Sequence, residues 1–192
     1  HHRRVQGSGE ELLIAAAQPL GIAGFHVLGR AAALNELHAR LLALGGLPLL
    51  DEAAEVLRVE AGIPLYGRDL DEERMPTEAG LFDAISHTKG CYLGQETVVR
   101  LRDRGSLNRR LCGLRFMEGG AAPPSGSKLR TATRPLAGSL TSAVLSSRFG
   151  TIALGYLHKT CWEPGTEVEL LTLDEQPTGR LAVICDLPFI DK

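Results

Sequence analysis

The spacing of apolar positions changes once along the chain, and that change divides it. In the first third, a short apolar run predicts a strand at Gly24 to Leu28, and a helix follows over 31–44 with Leu34, Leu37, Leu41 and Leu44 on one face. Gly45 and Gly46 end that helix. A second helix starts at Asp51, a residue of the type that caps helix N-termini, runs through EAAEVLRVEA and stops at Gly62 before Ile63 and Pro64. Residues 64–81 are rich in Gly, Pro and acidic side chains and have no period, which predicts a long ordered loop or a domain crossing. Helical spacing returns in ETVVRLRDR, with Val98, Val99 and Leu101 apolar, the arginines polar and Gly105 closing it. From Leu107 onward the pattern is RRLCGLRF, SKLRT, AGSLTSAVLS, GTIALGYLH, TEVELLTL and GRLAVICDL, short runs separated by turn residues. Such a series predicts a small antiparallel barrel. The expected organisation is α+β, with an α+β module over 1–106 and a β-barrel over 107–192.

Composition adds exclusions. With 192 residues, 44% hydrophobic and 23% charged, the chain can bury a core. Its net charge of -2 gives no global field for nucleic acid or a membrane surface, so neither is expected as a partner. No apolar run approaches the about 20 residues needed to cross a bilayer, and no signal region stands at the start, so the cytoplasm is the expected compartment. Arg100, Arg102, Arg104, Arg109 and Arg110 form a local basic cluster, either a polyanion dock or a solvated face. The acidic stretch Asp69 to Glu73 lacks calcium-loop spacing. Cys91, Cys112, Cys161 and Cys185 lie far apart without a CxxC pair, which signals reduced thiols and neither a disulfide framework nor a zinc site. No metal is assigned. Cys112 and Cys185 sit in strand-like apolar runs and read as buried and inert, while Cys161, beside Trp162, is open.

Cys91 differs, because it lies in the octapeptide KGCYLGQE between Gly90 and Gly94. Glycines there permit positive φ or close approach, predicting a tight exposed loop. A thiolate is a nucleophile and a metal ligand, and Lys89 sets a cation two positions away. Lys89 reads either as a solvated lysine or as a point charge for an anion. Tyr92 can stack on a flat ring or cover the core. Gln95 and Glu96 suit the first turn of a helix. Glu60 carries a carboxylate able to accept two hydrogen bonds from an aminopyrimidine edge; its place near a helix C-terminus reads otherwise as surface.

The segments RVEAGIPLYGRDLDEERMPTEAGL, ISHTKGCYLGQETVVRLRDRGSLNRRL and GSLTSAVLSSRFGTIALGYLHK together resemble the YgfZ branch of the folate-binding aminomethyltransferase superfamily, over about residues 50 to 160. KGCYxGQE is the branch signature, whereas RxEAGxPxYGxD is shared across the superfamily, including the glycine-cleavage T-protein. The resemblance implies a ferredoxin-like or T-protein-like folate-binding module, N-terminally incomplete in this sequence, followed by a small antiparallel β-barrel. Family members begin with a further N-terminal segment, the region where T-proteins carry their catalytic aspartate. It also implies tetrahydrofolate or a one-carbon derivative as cofactor, Cys91 as the functional thiol and Glu60 as the pterin anchor. Lys89, Tyr92, Gln95 and Arg100 complete the expected cofactor-binding set. The expected function is a tetrahydrofolate-binding accessory protein in iron-sulfur cluster assembly or repair, with iron-sulfur assembly or client proteins as partners. A defined reaction is not implied. The alternative is an aminomethyltransferase of the glycine-cleavage type, moving a one-carbon unit to tetrahydrofolate.

Overall fold

The strand-like runs of the second half close into a barrel. In the computed structural model, which describes residues 2–7, 10–86, 88–92, 94–95 and 107–189, the strands are β4 (Arg109–Phe116), β5 (Lys128–Arg130), β6 (Gly138–Ser146), β7 (Gly150–His158), β8 (Glu167–Leu171) and β9 (Pro177–Cys185). They are ordered β4-β7-β6-β5-β8-β9, every pairing antiparallel. Closure leaves no open sheet edge to cap. Leu114, Leu129, Leu140, Leu157, Val168 and Ile184 fill the interior and are almost wholly buried. Each such side chain contributes on the order of 1.5–3 kcal/mol by leaving water.

Strand β7 is buried from Thr151 to Leu157, on both faces. A half-buried strand would alternate, so its outer face is covered too. Part of the cover is the segment predicted as a loop or crossing. There the Leu111 N–H donates to the Glu78 carbonyl at 2.7 Å, and Arg74 stacks over the Tyr156 ring at 4.1 Å. In β6 the register slips between Leu140 and Ser142, a bulge that breaks the two-residue alternation and leaves Thr141 and Ser142 both buried.

By packing, the chain divides into units 1–58 and 59–192. This is a division by contacts, and the boundary at 106/107 stays an expectation of the sequence. The first unit holds a three-stranded antiparallel sheet, β1 (His2–Gly7), β2 (Glu10–Ala17) and β3 (Gly24–Leu28), with helix α1 (Ala31–Ala43). The hydrophobic pattern assigned one strand here; β1 and β2 are additions from the structure. At the end of α1 the N–H groups of Gly45 and Gly46 donate back to the carbonyls of Leu42 and Leu41, as the paired glycines predict. Helix α2 (Asp51–Glu60) opens with Asp51 and Glu52 at its positive end and crosses the division in its last turn. Gly62 closes it with φ +67, and a Cβ there would sit 2.9 Å from that of Leu187. Both the left-handed backbone and the close approach demand glycine. Among the described residues no helix is long and apolar enough to cross a membrane.

Candidate functional site

Glu60, the last residue of α2, is 3% exposed, so the surface reading suggested by its helix-end position is wrong. Its Oε1 accepts the Ser146 hydroxyl at 2.6 Å. The hairpin between β6 and β7 sets up that donor. Ser146 Oγ itself accepts the N–H groups of Arg148 and Phe149, each at 3.0 Å, which orients its proton toward the carboxylate. Arg148 approaches Oε2 from solvent at 3.5 Å, a long contact from a side chain that is 60% exposed. Such an exposed ion pair is worth little, at most about 1 kcal/mol. Oε2 therefore keeps acceptor capacity, and the carboxylate as a whole can take further N–H donors.

A second buried carboxylate lies close by in sequence. Asp69, 1% exposed, accepts the Leu65 N–H at 3.0 Å on Oδ2 and the hydroxyls of Thr141 and Ser142 at 2.6 and 2.7 Å on Oδ1. Two consecutive strand residues can reach one oxygen because the β6 bulge turns both to the same side. Sequence reading placed Asp69 only in an acidic loop without calcium spacing. The signal that could have found it is the pair of adjacent hydroxyls at Thr141 and Ser142, which breaks the alternation of strand β6.

The described part of the octapeptide up to Tyr92 has no regular secondary structure. Cys91 and Lys89 are exposed and Tyr92 half-buried, and Gly94 takes φ +86 while Gly90 does not adopt positive φ. A Cβ at either glycine would meet nothing within 4 Å. The Lys89 ammonium lies 4.5 Å over the Tyr92 ring, and its backbone N–H donates to Ser86 Oγ. Gln95 is half-buried and donates its N–H to the Tyr92 carbonyl at 3.2 Å. Lys89, Tyr92 and Gln95 are thus brought together with Cys91, whereas the partners of Glu60 come from the β6–β7 hairpin. Arg100 lies outside the described residues, as do His87, Glu96, Arg102 and Arg104. The remaining members of the basic cluster are engaged within the fold: Arg109 pairs with Glu78 at 3.1 Å and Arg110 donates to the Trp162 carbonyl.

Of the four cysteines, all of them described, Cys91 alone is exposed. Cys112 and Cys161 are buried, and Cys185 is intermediate. Burial pushes the Cys112 thiol up, against the Arg110 charge, and does the same at Cys185 against Arg115. Cys112 is buried as expected, whereas Cys185 is only partly buried, short of the buried position expected for it. Titration of the native protein with a chromogenic disulfide is expected to consume one thiol promptly, mapping by mass spectrometry to Cys91, with Cys112 and Cys161 reacting only on unfolding. Prompt labelling of Cys112 or Cys161 would contradict the burial described.

Residues 109–191 match the glycine cleavage T-protein C-terminal barrel domain. The chain is 36% identical over 183 residues to an aminomethyltransferase of Rubrobacter xylanophilus, covering 94% of this chain and 47% of that protein. It is 32% identical over 189 residues to an aminomethyltransferase of Thermosynechococcus vestitus, covering 98% and 50%. The crystal structure of the glycine cleavage system aminomethyltransferase T from Bartonella henselae superposes with a TM-score of 0.81 at 24% identity, over 93% of this chain and 50% of that one, a likeness of fold. The chain spans about half the length of these relatives.

Proposed function

From a T-protein barrel domain and a relationship to aminomethyltransferases, which together support the aminomethyltransferase superfamily for this chain, we propose a tetrahydrofolate-binding protein of the YgfZ type that acts through Cys91 in iron-sulfur cluster assembly or repair. The observation that carries this reading is the exposure of Cys91 on an open loop, where no packing role accounts for a thiol. KGCYLGQE supports the branch over the transferase reading, in which that octapeptide has no counterpart.

The folate part rests on Glu60. A pterin presents a ring N–H beside an amino group, a pair of parallel donors that suits a carboxylate. Glu60 fits this demand: Ser146 orients one oxygen, and the exposed Arg148 is the weakly held group that a ligand would displace from the other. Lys89, Tyr92 and Gln95 are the proposed accompanying contacts, with Arg100 from the adjoining segment. Tetrahydrofolate supplies a carrier for one-carbon units, and the chain supplies its orientation.

Calorimetric titration of the intact protein with tetrahydrofolate tests the assignment. Glu60→Gln keeps the size and the Ser146 contact but loses the charge, and is expected to weaken binding by about tenfold or more. Binding within twofold of the parent would remove Glu60 as the anchor. Transfer of a one-carbon unit from an aminomethylated carrier to tetrahydrofolate, unaffected by loss of the thiol, would select the aminomethyltransferase alternative.

A further inference from the structure

Outside these residues, a cavity of about 280 Å³ opens on the barrel unit, walled in part by Arg74, Arg109, Lys128, Ser139, Tyr156 and His158. Among the described residues, neither Glu60 nor any member of the octapeptide lines it. Its walls hold an unusual number of hydrogen-bond donors without acceptors. The Arg74 guanidinium lies 4.1 Å over the Tyr156 ring, and its Nε and Nη1 are buried with no hydrogen-bond partner. Tyr156 is 3% exposed, and its hydroxyl likewise has none. Desolvated donors of this kind each cost free energy unless something returns their hydrogen bonds.

The charge of the walls says what that something is. Lys128 has no ion-pair partner among the described residues, while Arg109 is balanced by Glu78 at 3.1 Å. Glu78 is taken up by Arg109, and Asp69, elsewhere on the same segment, is held by its own donors from Leu65, Thr141 and Ser142. Arg74, Arg109 and Lys128 against Glu78 leave the cavity cationic. Burial pushes the Tyr156 hydroxyl up to about 12, over the opposing pull of the Arg74 charge, so it keeps its proton. At His158, Nδ1 is held by Thr160, whose hydroxyl lies at 2.9 Å and whose N–H lies at 3.3 Å. A cation would be repelled here, and a neutral apolar ligand would return none of the missing hydrogen bonds.

We infer that this cavity is a binding site for a small oxyanion, the phosphate or carboxylate group of a metabolite, with Arg74 and Tyr156 at its base and Lys128 as its counter-charge. An oxyanion accepts several hydrogen bonds at once and matches both guanidinium and ammonium donors. The cavity has room for an organic body beside the anionic group, against the apolar wall of Leu136 and Ala137.

The test is titration of the intact protein with inorganic phosphate and, separately, with glutarate, each against chloride at matched ionic strength, read by protein NMR. Saturable shifts for residues around Tyr156 with either probe are expected, and the probe that saturates first names the class. Arg74→Met is expected to weaken that binding about tenfold or more, and Lys128→Met to weaken it too. Lys128 serves as the second variant should Arg74→Met fail to fold. Tyr156→Phe removes only the hydroxyl, and should lower affinity while leaving the melting temperature unchanged or raised. Shifts no greater than those of chloride, or binding indifferent to both Arg74→Met and Lys128→Met, would overturn the inference.

Discussion

Asp69→Ala is expected to destabilise the protein by about 3 kcal/mol, a large part of the roughly 5–15 kcal/mol that holds a domain folded. The substitution strips a charged acceptor from three buried or partly buried donors, the Leu65 N–H and the hydroxyls of Thr141 and Ser142. Each hydrogen bond to a charged group is worth about 1.5–3 kcal/mol, and the sum is trimmed by two effects. Thr141 retains the Leu154 carbonyl at 3.2 Å, and removing a buried carboxylate also removes its desolvation cost. Asp69→Asn keeps one acceptor oxygen and should give up about half as much. The measurement is the urea midpoint at unchanged m-value. The loss should also loosen the segment from Leu65 to Glu78, which is fastened to the barrel by Asp69 at one end and by the Glu78–Leu111 and Glu78–Arg109 contacts at the other. Arg74 lies between those fastenings, so faster proteolysis within 65–78 should accompany the fall in midpoint. A midpoint within error of the parent would mean that the cluster is readily satisfied by other means.

The barrel was legible because strand pairing imposes a local rule. Runs such as GTIALGYLH and GRLAVICDL, punctuated by turn residues, could hardly be anything else, and each became a strand within a residue or two of its predicted ends. Strand β2 obeys no such rule. ELLIAAA is built from residues that favour helix, and it is a strand because β1 and β3 flank it, which is tertiary context overriding local preference. The same distinction separates the site residues. The exposure of Cys91 was legible from its neighbours, since glycines on both sides already argue for an exposed loop. Glu60 became a candidate anchor only through family resemblance, and its burial was not foreseen, because the hydroxyl that meets it stands 86 residues away at the end of β6. Asp69 was harder to see for the same reason, its partners being 72 and 73 residues distant on a bulge hinted at only by the adjacent hydroxyls of Thr141 and Ser142. The cavity at Tyr156 draws its walls from the crossing segment and from several strands, a convergence that only closure of the barrel creates.

Cys91→Ser is expected to abolish complementation of an iron-sulfur maintenance defect while leaving the fold intact. Oxygen replaces sulfur at nearly constant size, and the side chain is exposed on a loop with open space around both flanking glycines, so no packing is lost. Surface changes of this sort usually lie within about 0.5 kcal/mol of neutral, and the urea midpoint should not move. What disappears is the chemistry: a serine hydroxyl neither ionises near neutral pH nor ligates iron as a thiolate does. Tetrahydrofolate affinity should be largely retained, because the proposed pterin contact is made by Glu60 against Ser146 and not by the thiol. Glu60→Gln should show the opposite pattern, with folate affinity weakened and the exposed thiol still titrating. The two variants therefore separate the thiol from the folate site. Full complementation by a stably folded Cys91→Ser protein would refute a functional thiol and return the octapeptide to a structural role.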